Sequence, residues 1–262
     1  MTIRDIYGIL DAYAPFSLQE SYDKSGLLVG DPAKQVQRVM LTLDITIPVA
    51  AEAAEKQADL ILAHHPVIWD PLRSISPSHP VWHLVQKEIG AICSHTCLDI
   101  AEGGLNDYIG DMMSEPLGLK PERQPLAQLS GGRTLGKTAE LMQSVNAESL
   151  AERLKAVFRC TNLRYFAGDH ADCIRKIAWC SGSGGDLIED ALSAGADALI
   201  TGDCKHSVWM EAQNRGLTLF DCGHFETEVP VVKLFEQILH EKAPELQILI
   251  SECGTVPPYL TR

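Results

Sequence analysis

Two nine-residue stretches of this chain, QADLILAHH at 57–65 and GADALITGD at 195–203, align without a gap. Each is an apolar run introduced by an acid, and each stands in the same larger frame. Ahead of the first, 38–43 (RVMLTL) reads as a strand and 48–58 as a helix, with Pro48 suited to the first helical position. Behind it come a helical stretch, 80–88, and a strand, 91–94. Ahead of the second, 175–180 (RKIAWC) reads as a strand and 186–194 as a helix; behind it come a helix, 207–214, and a strand, 217–220. Two copies of a β-α-β-α-β unit are the simplest account. Strands that alternate with helices call for an α/β fold with mixed, mainly parallel sheets.

The two copies divide the chain at approximately 1–128 and 129–262, within a single domain. Residues 120–128, polar and proline-containing, read as the connection. The segment 129–143 is glycine-rich and then strand-like. Asn146 caps a helix with Leu150, Leu154 and Phe158 on one face. At the start of the chain, Thr2 caps a short helix with Asp5 as its capping-box partner and Pro15 as its stop.

A chain of 262 residues with 45% hydrophobic residues has ample material for a packed core. Its net charge of -13 argues against a nucleic-acid binder, which needs a basic face. An anionic substrate stays possible, because bound divalent ions reverse the local field. No apolar stretch approaches the roughly 20 residues of a membrane span, and residues 1–15 lack the apolar centre of an export signal. A cytoplasmic location is expected. None of the eight cysteines forms a Cys-x-x-Cys pair, so reduced thiols are expected, with Cys93, Cys180 and Cys222 acting as small core residues.

The chemistry gathers where strands end. His64 and His65 close an apolar run just before Pro66. His95 and Asp99 form a His-x-x-x-carboxylate pair after the strand at 91–94, and His224 and Glu228 repeat that spacing after 217–220. Open α/β sheets place their sites at such ends. A lone histidine is more often a core or surface residue than a ligand. Six candidates in three such places point instead to a metal centre. Imidazole and carboxylate suit Zn, Mn, Fe, Co or Ni without choosing among them. Adjacent side chains on a strand point to opposite faces, so the twin histidines serve one pocket only if the strand end twists or bulges.

Other signals are weaker. GGRTLGKT at 131–138 satisfies the Walker A pattern, but it lacks a buried strand before it and a long helix after it. Gly182-Ser183-Gly184-Gly185 follows a strand and opens a helix; a phosphate held on backbone N–H groups and a tight turn are equally good readings. His79, His83, His170 and His240 read as surface residues. His206 stands near the repeat position facing the twin histidines, without a ligand pattern.

ADLILAHHPVIWDPLRSI, SHTCLDIAEGGLNDYIG, CSGSGGDLIEDALSAGADALITGD and DCGHFETE, in this order, resemble the NIF-three-like dinuclear-metal-centre family. Many bacterial members of that family are described as GTP cyclohydrolase 1 type 2 homologues. SYDKSGLLVGDP is similar to the family's first motif, although Tyr22-Asp23-Lys24 stands where Trp-Asp-Asn is usual. The resemblance implies duplicated β-α-β units forming two intertwined lobes, no long inserted domain, and a toroidal homohexamer. It also implies two divalent metal ions per subunit: His64 and Asp99 on one, His65 and His224 on the other, Glu228 bridging both. His95 would be a neighbour able to shuttle protons, since an unperturbed imidazole titrates near pH 6.5.

Such a centre suits metal-assisted hydrolysis of a small molecule, with a nucleotide, GTP, as the substrate the resemblance implies. A non-catalytic metal-binding scaffold or regulatory interaction protein is the alternative.

Overall fold

The computed structural model describes residues 1–259. The chain divides into two compact units, one formed by 1–104 and 229–258, the other by 105–228 with Tyr259. The expected meeting point near residue 128 is therefore not where the compact units part. The chain leaves the first unit after Gly104 and returns to it at Val229.

In chain order the first unit contributes α1 (Ile3–Tyr13), β1 (Gly26–Val29), β2 (Arg38–Thr42), α2 (Ile47–Glu55), β3 (Leu60–Ala63), α3 (Pro80–Gln86), β4 (Gly90–Cys93) and α4 (Thr96–Ile100). The second unit follows with α5 (Leu105–Leu117), β5 (Leu119–Gln128), β6 (Thr134–Val145), α6 (Ala147–Phe158), β7 (Arg164–Phe166), β8 (Ile174–Trp179), α7 (Ile188–Ser193), β9 (Ala198–Thr201), α8 (His206–Arg215), β10 (Thr218–Asp221) and α9 (His224–Glu228). The returning segment adds α10 (Val231–Lys242) and β11 (Gln247–Ile250).

The first sheet has five strands in the order β1-β4-β3-β2-β11. All its pairings are parallel except β1 with β4. The second has six strands in the order β5-β6-β8-β9-β10-β7. Its central pairs, β8 with β9 and β9 with β10, are parallel and its flanking pairs antiparallel. Both are mixed sheets in an α/β fold, with a parallel centre in each, as alternating strands and helices require.

The acid in the repeated stretch explains the internal likeness. Asp59 accepts from the backbone N–H groups of Gln37 and Arg38 at 2.8 and 3.0 Å. Asp197 accepts from those of Arg175 and Lys176 at 2.7 and 2.9 Å. In each copy one carboxylate pins the start of the first strand beside the second and sets the register, Val39 opposite Leu60 and Ile177 opposite Ala198. Apolar residues then pack against one face of each sheet: Met40, Val49, Ile61 and Leu84 in the first unit, Ala178, Ile188, Leu199 and Leu219 in the second. β3, β4, β9 and β10 are buried at every position, as strands covered on both faces must be.

Residues 120–128 are not a connection. They belong to β5, an edge strand paired antiparallel with β6. Leu126 and Ala127 are buried, and an edge position tolerates Pro121 and Pro125 because one row of N–H groups is not needed for the ladder. The helix beginning near Pro48 starts one residue earlier, capped by Thr46, whose hydroxyl accepts from the Val49 N–H. The Thr2–Asp5 capping box and the Asn146 cap are present as expected. All eight cysteines are free, and burial pushes the Cys93 thiol up to about 12, which makes it inert.

Candidate metal centre

In the first unit, β3 and β4 run parallel and end side by side, Ala63 opposite Cys93. His64, His65 and His95 follow immediately. Beyond Ala63 the backbone turns: the N–H groups of both His64 and His65 reach the Leu43 carbonyl, at 3.2 and 3.1 Å. This bend replaces the alternation of a regular strand. It brings both rings to one place, with centroids 5.2 Å apart and the His95 ring 5.1 and 5.4 Å from them. Each of the three offers a ring nitrogen within 4.8 Å of the others, a spacing that could hold a metal ion. Asp99, one turn into α4, brings Oδ1 to 3.7 Å from Nε2 of His64.

The orientation of the rings matters as much as their proximity. Nδ1 of His64 donates to the Ser94 carbonyl at 2.8 Å. Nδ1 of His65 faces a carboxylate oxygen of Asp44 at 2.8 Å, and Nδ1 of His95 one of Asp23 at 3.0 Å. An acceptor at Nδ1 holds the proton there and leaves the Nε2 lone pair for a cation, the usual arrangement around ligating histidines. His64 is wholly buried. The donor set therefore fits a borderline divalent ion better than Ca or Mg, which prefer oxygen.

Asp23 is the most heavily engaged of these acids. It accepts from the N–H and hydroxyl of Thr96 at 3.0 and 2.6 Å, the Ser25 hydroxyl at 2.8 Å and the Lys24 N–H at 2.6 Å, besides His95. Burial raises its carboxyl, but the hydrogen bonds from His95, Thr96 and Ser25 outweigh that and hold it well below the usual carboxylate range. Asp23 thus acts on the site from within the SYDKSG motif, together with Ser25, whose hydroxyl accepts from the His95 N–H at 2.9 Å. Lys24, the departure from the usual motif, serves Asp23 through its backbone and leaves its side chain exposed.

In the second unit, β10 leads through Gly223, at φ +90°, into α9. His224 is the first residue of that short helix and Glu228 its last, so the two share a face. Nε2 of His224 lies 2.8 Å from Oε2 of Glu228, and Nδ1 faces Asp203 at 2.9 Å. Glu228 is buried, while Asp203 is exposed. A histidine oriented at Nδ1 beside a buried carboxylate is the same type of donor arrangement as in the first unit.

Gly182-Ser183-Gly184-Gly185 is a tight turn and not a phosphate cradle. The Gly182 and Gly184 N–H groups are taken by the hydroxyls of Thr227 and Thr201, at 3.0 and 2.8 Å. Gly182, at φ +62°, also makes room for the carboxylate: a Cβ there would meet Oε1 of Glu228 at 2.0 Å. The Walker-like stretch runs through a short turn into β6, and Lys137 pairs with Asp107 at 2.8 Å. His206 is exposed at the start of α8; His170 and His240 are exposed, His79 caps α3 and His83 bonds the Pro77 carbonyl.

The orienting acids Asp23, Asp44 and Asp203 escape a reading that looks for ligands alone. Asp203 had a signal in the sequence: it occupies the position of His65 in the repeat.

Strand ends that carry oriented histidines and carboxylates define an α/β protein with a metal-type donor set in each unit. Residues 1–257 match the Duf34/NIF3 (NGG1p interacting factor 3) family, and the chain belongs to it. A "GTP cyclohydrolase 1 type 2 homolog" of Clostridium perfringens is 33% identical over 96% of this chain and 97% of its own length. "NIF3-like protein 1" of Drosophila melanogaster is 32% identical over 93% of this chain and 81% of its own length. Among solved structures, a hypothetical protein of Staphylococcus aureus superposes with a TM-score of 0.88 at 26% identity, covering 100% of this chain and 99% of that one. No described helix is long and apolar enough to cross a membrane.

Proposed function

We propose that this protein is a divalent-metal-dependent hydrolase acting on a nucleotide, in the manner the GTP cyclohydrolase name of its bacterial relatives suggests. The observation that carries this reading is the convergence of His64, His65 and His95 at adjoining strand ends, each with Nδ1 engaged by an acceptor. Structural metal sites close all four positions with protein ligands, whereas catalytic ones keep a position for water or substrate. His64, His65, Asp99, His224 and Glu228 would hold the metal, the set the sequence resemblance implies. Two bound ions would supply Lewis acidity and a water activated near neutral pH.

The chain's own residues do the rest. Ser94, Asp44 and Asp203 hold three imidazoles in the ligating orientation. Asp23 holds His95, whose remaining ring nitrogen would take or return a proton at the attacked bond. The apolar strands beneath exclude bulk water from one side of the cluster. We further propose a cytoplasmic, toroidal homohexamer, which sedimentation would test; a monomer at micromolar concentration sinks that part alone.

The test joins elemental analysis to a turnover assay. Tag-free protein is expected to carry two ions per chain and to hydrolyse GTP or another nucleotide. Glu228→Gln should abolish turnover and leave a folded protein. The rival reading, a non-catalytic scaffold, is favoured by the family's being named for an interaction. Metal-loaded protein that stays inert across a broad hydrolase panel would establish it in place of the enzyme.

A further inference from the structure

The loop that follows the twin histidines carries two side chains that neither the fold nor the metal chemistry uses. Trp69 is 44% exposed. Among the described residues its one recorded ring contact is with His95, edge to face, at 5.3 Å between centroids and 87° between planes. Every residue from 70 to 78 is exposed as well, so the chain that follows the indole is not packed into the core. A partly exposed indole leaves a flat, polarisable surface beside the imidazole cluster. Edge contact with His95 holds the ring in place without using up both faces. Such a surface suits another planar aromatic ring, which stacks on it at small conformational cost.

Arg73 stands four residues further along the same loop, exposed and with no ion pair recorded among the described residues. Four residues span at most about 14 Å of chain, which keeps the two Cα atoms within that distance of each other. Guanidinium is the side chain best matched to phosphate, through paired N–H donors. A stacking platform and a phosphate partner on one loop, at the rim of a hydrolytic site, match the two ends of one class of molecule.

We propose that Trp69 stacks on the base of a purine nucleotide and that Arg73 pairs with its phosphate, so that this loop selects the substrate presented to the histidine cluster. The inference rests on the nucleotide reading above and adds the residues that would recognise the ligand. Stacking reads the flat face of a base and not its hydrogen-bonding edge, so guanine and adenine are accepted alike at Trp69. Discrimination between them lies elsewhere.

Binding can be measured without turnover, by calorimetry with guanosine, GMP and AMP on the metal-loaded protein. Trp69→Ala is expected to weaken guanosine and GMP alike, by about tenfold or more. Trp69→Phe keeps a ring and should retain most of the affinity. Arg73→Ala should leave guanosine unchanged, weaken GMP and AMP, and flatten the salt dependence of GMP binding. Since both side chains are exposed, these variants should fold with unaltered thermal stability. If wild-type protein binds nucleotides and Trp69→Ala binds them equally well, the inference is wrong and the nucleotide reading survives. If wild-type protein binds none of the three, the nucleotide reading itself fails and takes the inference with it.

Discussion

The two units place the same His-x-x-x-carboxylate spacing after the same kind of strand, and then use it differently. In the second unit His224 opens α9, Glu228 closes it, and the two meet at 2.8 Å. In the first unit His95 stands one residue before α4, as its cap, at φ -104° and ψ -111°. Its ring swings to Asp23, and Asp99 faces His64 instead. One residue of helix register separates the two outcomes. Gly223, at φ +90°, supplies the turn that starts the helix at the histidine; Ser94 occupies the corresponding place in the first unit. Equal spacing in sequence therefore does not guarantee equal pairing in space.

The sharpest difference lies where β3 and β9 end. His64 fills its place in the first unit, while the aligned residue of the second is Gly202. A Cβ at 202 would lie 2.5 Å from the backbone carbon of Gly223 and from the nitrogen of His224. The second unit thus has no room for any side chain there. Gly202→Ala tests this most severely, because backbone atoms cannot swing aside. A destabilisation of about 3 kcal/mol or more is expected in urea denaturation, at the upper end of overpacking costs. An unchanged midpoint would show that the asymmetry is one of sequence history and not of space.

The orienting acids give the next test. Asp23 is buried with five donors on it, whereas Asp203 is 62% exposed and faces a single histidine. Asp23→Ala leaves Thr96 and His95 without their acceptor and should cost about 2–4 kcal/mol. Asp203→Ala should cost less than about 1 kcal/mol, since exposed ion pairs contribute little. Metal affinity separates from stability here: both variants should bind a divalent ion more weakly, through loss of histidine orientation. Equal stability losses at the two positions would remove the distinction between a buried and an exposed orienting acid.

A third test concerns the returning segment of the first unit, a feature with no counterpart in the second. Glu52 in α2 accepts from Lys56, from the N–H groups of Glu252 and Cys253, and from the Ser251 hydroxyl. Burial raises its carboxyl, but these four partners together hold it down to about 2, against an ordinary 4.5. A carboxyl lowered by folding stabilises the native state in full above its unfolded value. That contribution fades as pH falls from 4.5 towards 2. Glu52→Gln should therefore lose about 3 kcal/mol at pH 7 and progressively less below pH 4, converging with wild type near pH 2. A pH-independent difference would mean that the carboxylate's charge is not what holds the segment.

Much of this was legible in the sequence, for physical reasons. Apolar runs such as LILA and ALIT are long enough to mark buried strands, and the acid before each sets a register that repeats. Ligand-type residues at the ends of such strands were visible for the same reason. What escaped is what sequence periodicity does not encode. β5 is half polar and contains two prolines, and only its edge position makes it a strand. Returning α10 and β11 to the first sheet is a matter of topology. Asp23 and Asp44 act across 72 and 21 residues of chain, so no local pattern announces them. The pairing of His95 turned on one residue of helix register, below the resolution of any periodicity argument.

The smallest effect is expected where the second unit carries the one motif that the first lacks. Residues 131–138 satisfy the Walker A pattern, yet they run through a short turn into β6 and not into a helix. A phosphate loop needs consecutive N–H groups converging on one point and a helix N-terminus behind them. In β6 those groups belong to ladders with β5 and β8, with Lys137 opposite Pro125 on one side and Trp179 on the other. The ammonium of Lys137 is already paired with Asp107 and only partly exposed. Lys137→Ala removes one half-buried ion pair and should cost about 1 kcal/mol, with nucleotide affinity unchanged. Calorimetry with GTP decides the matter: a loss of binding in this variant, with Trp69→Ala unaffected, would move the nucleotide site from the first unit's histidines to the second unit's sheet.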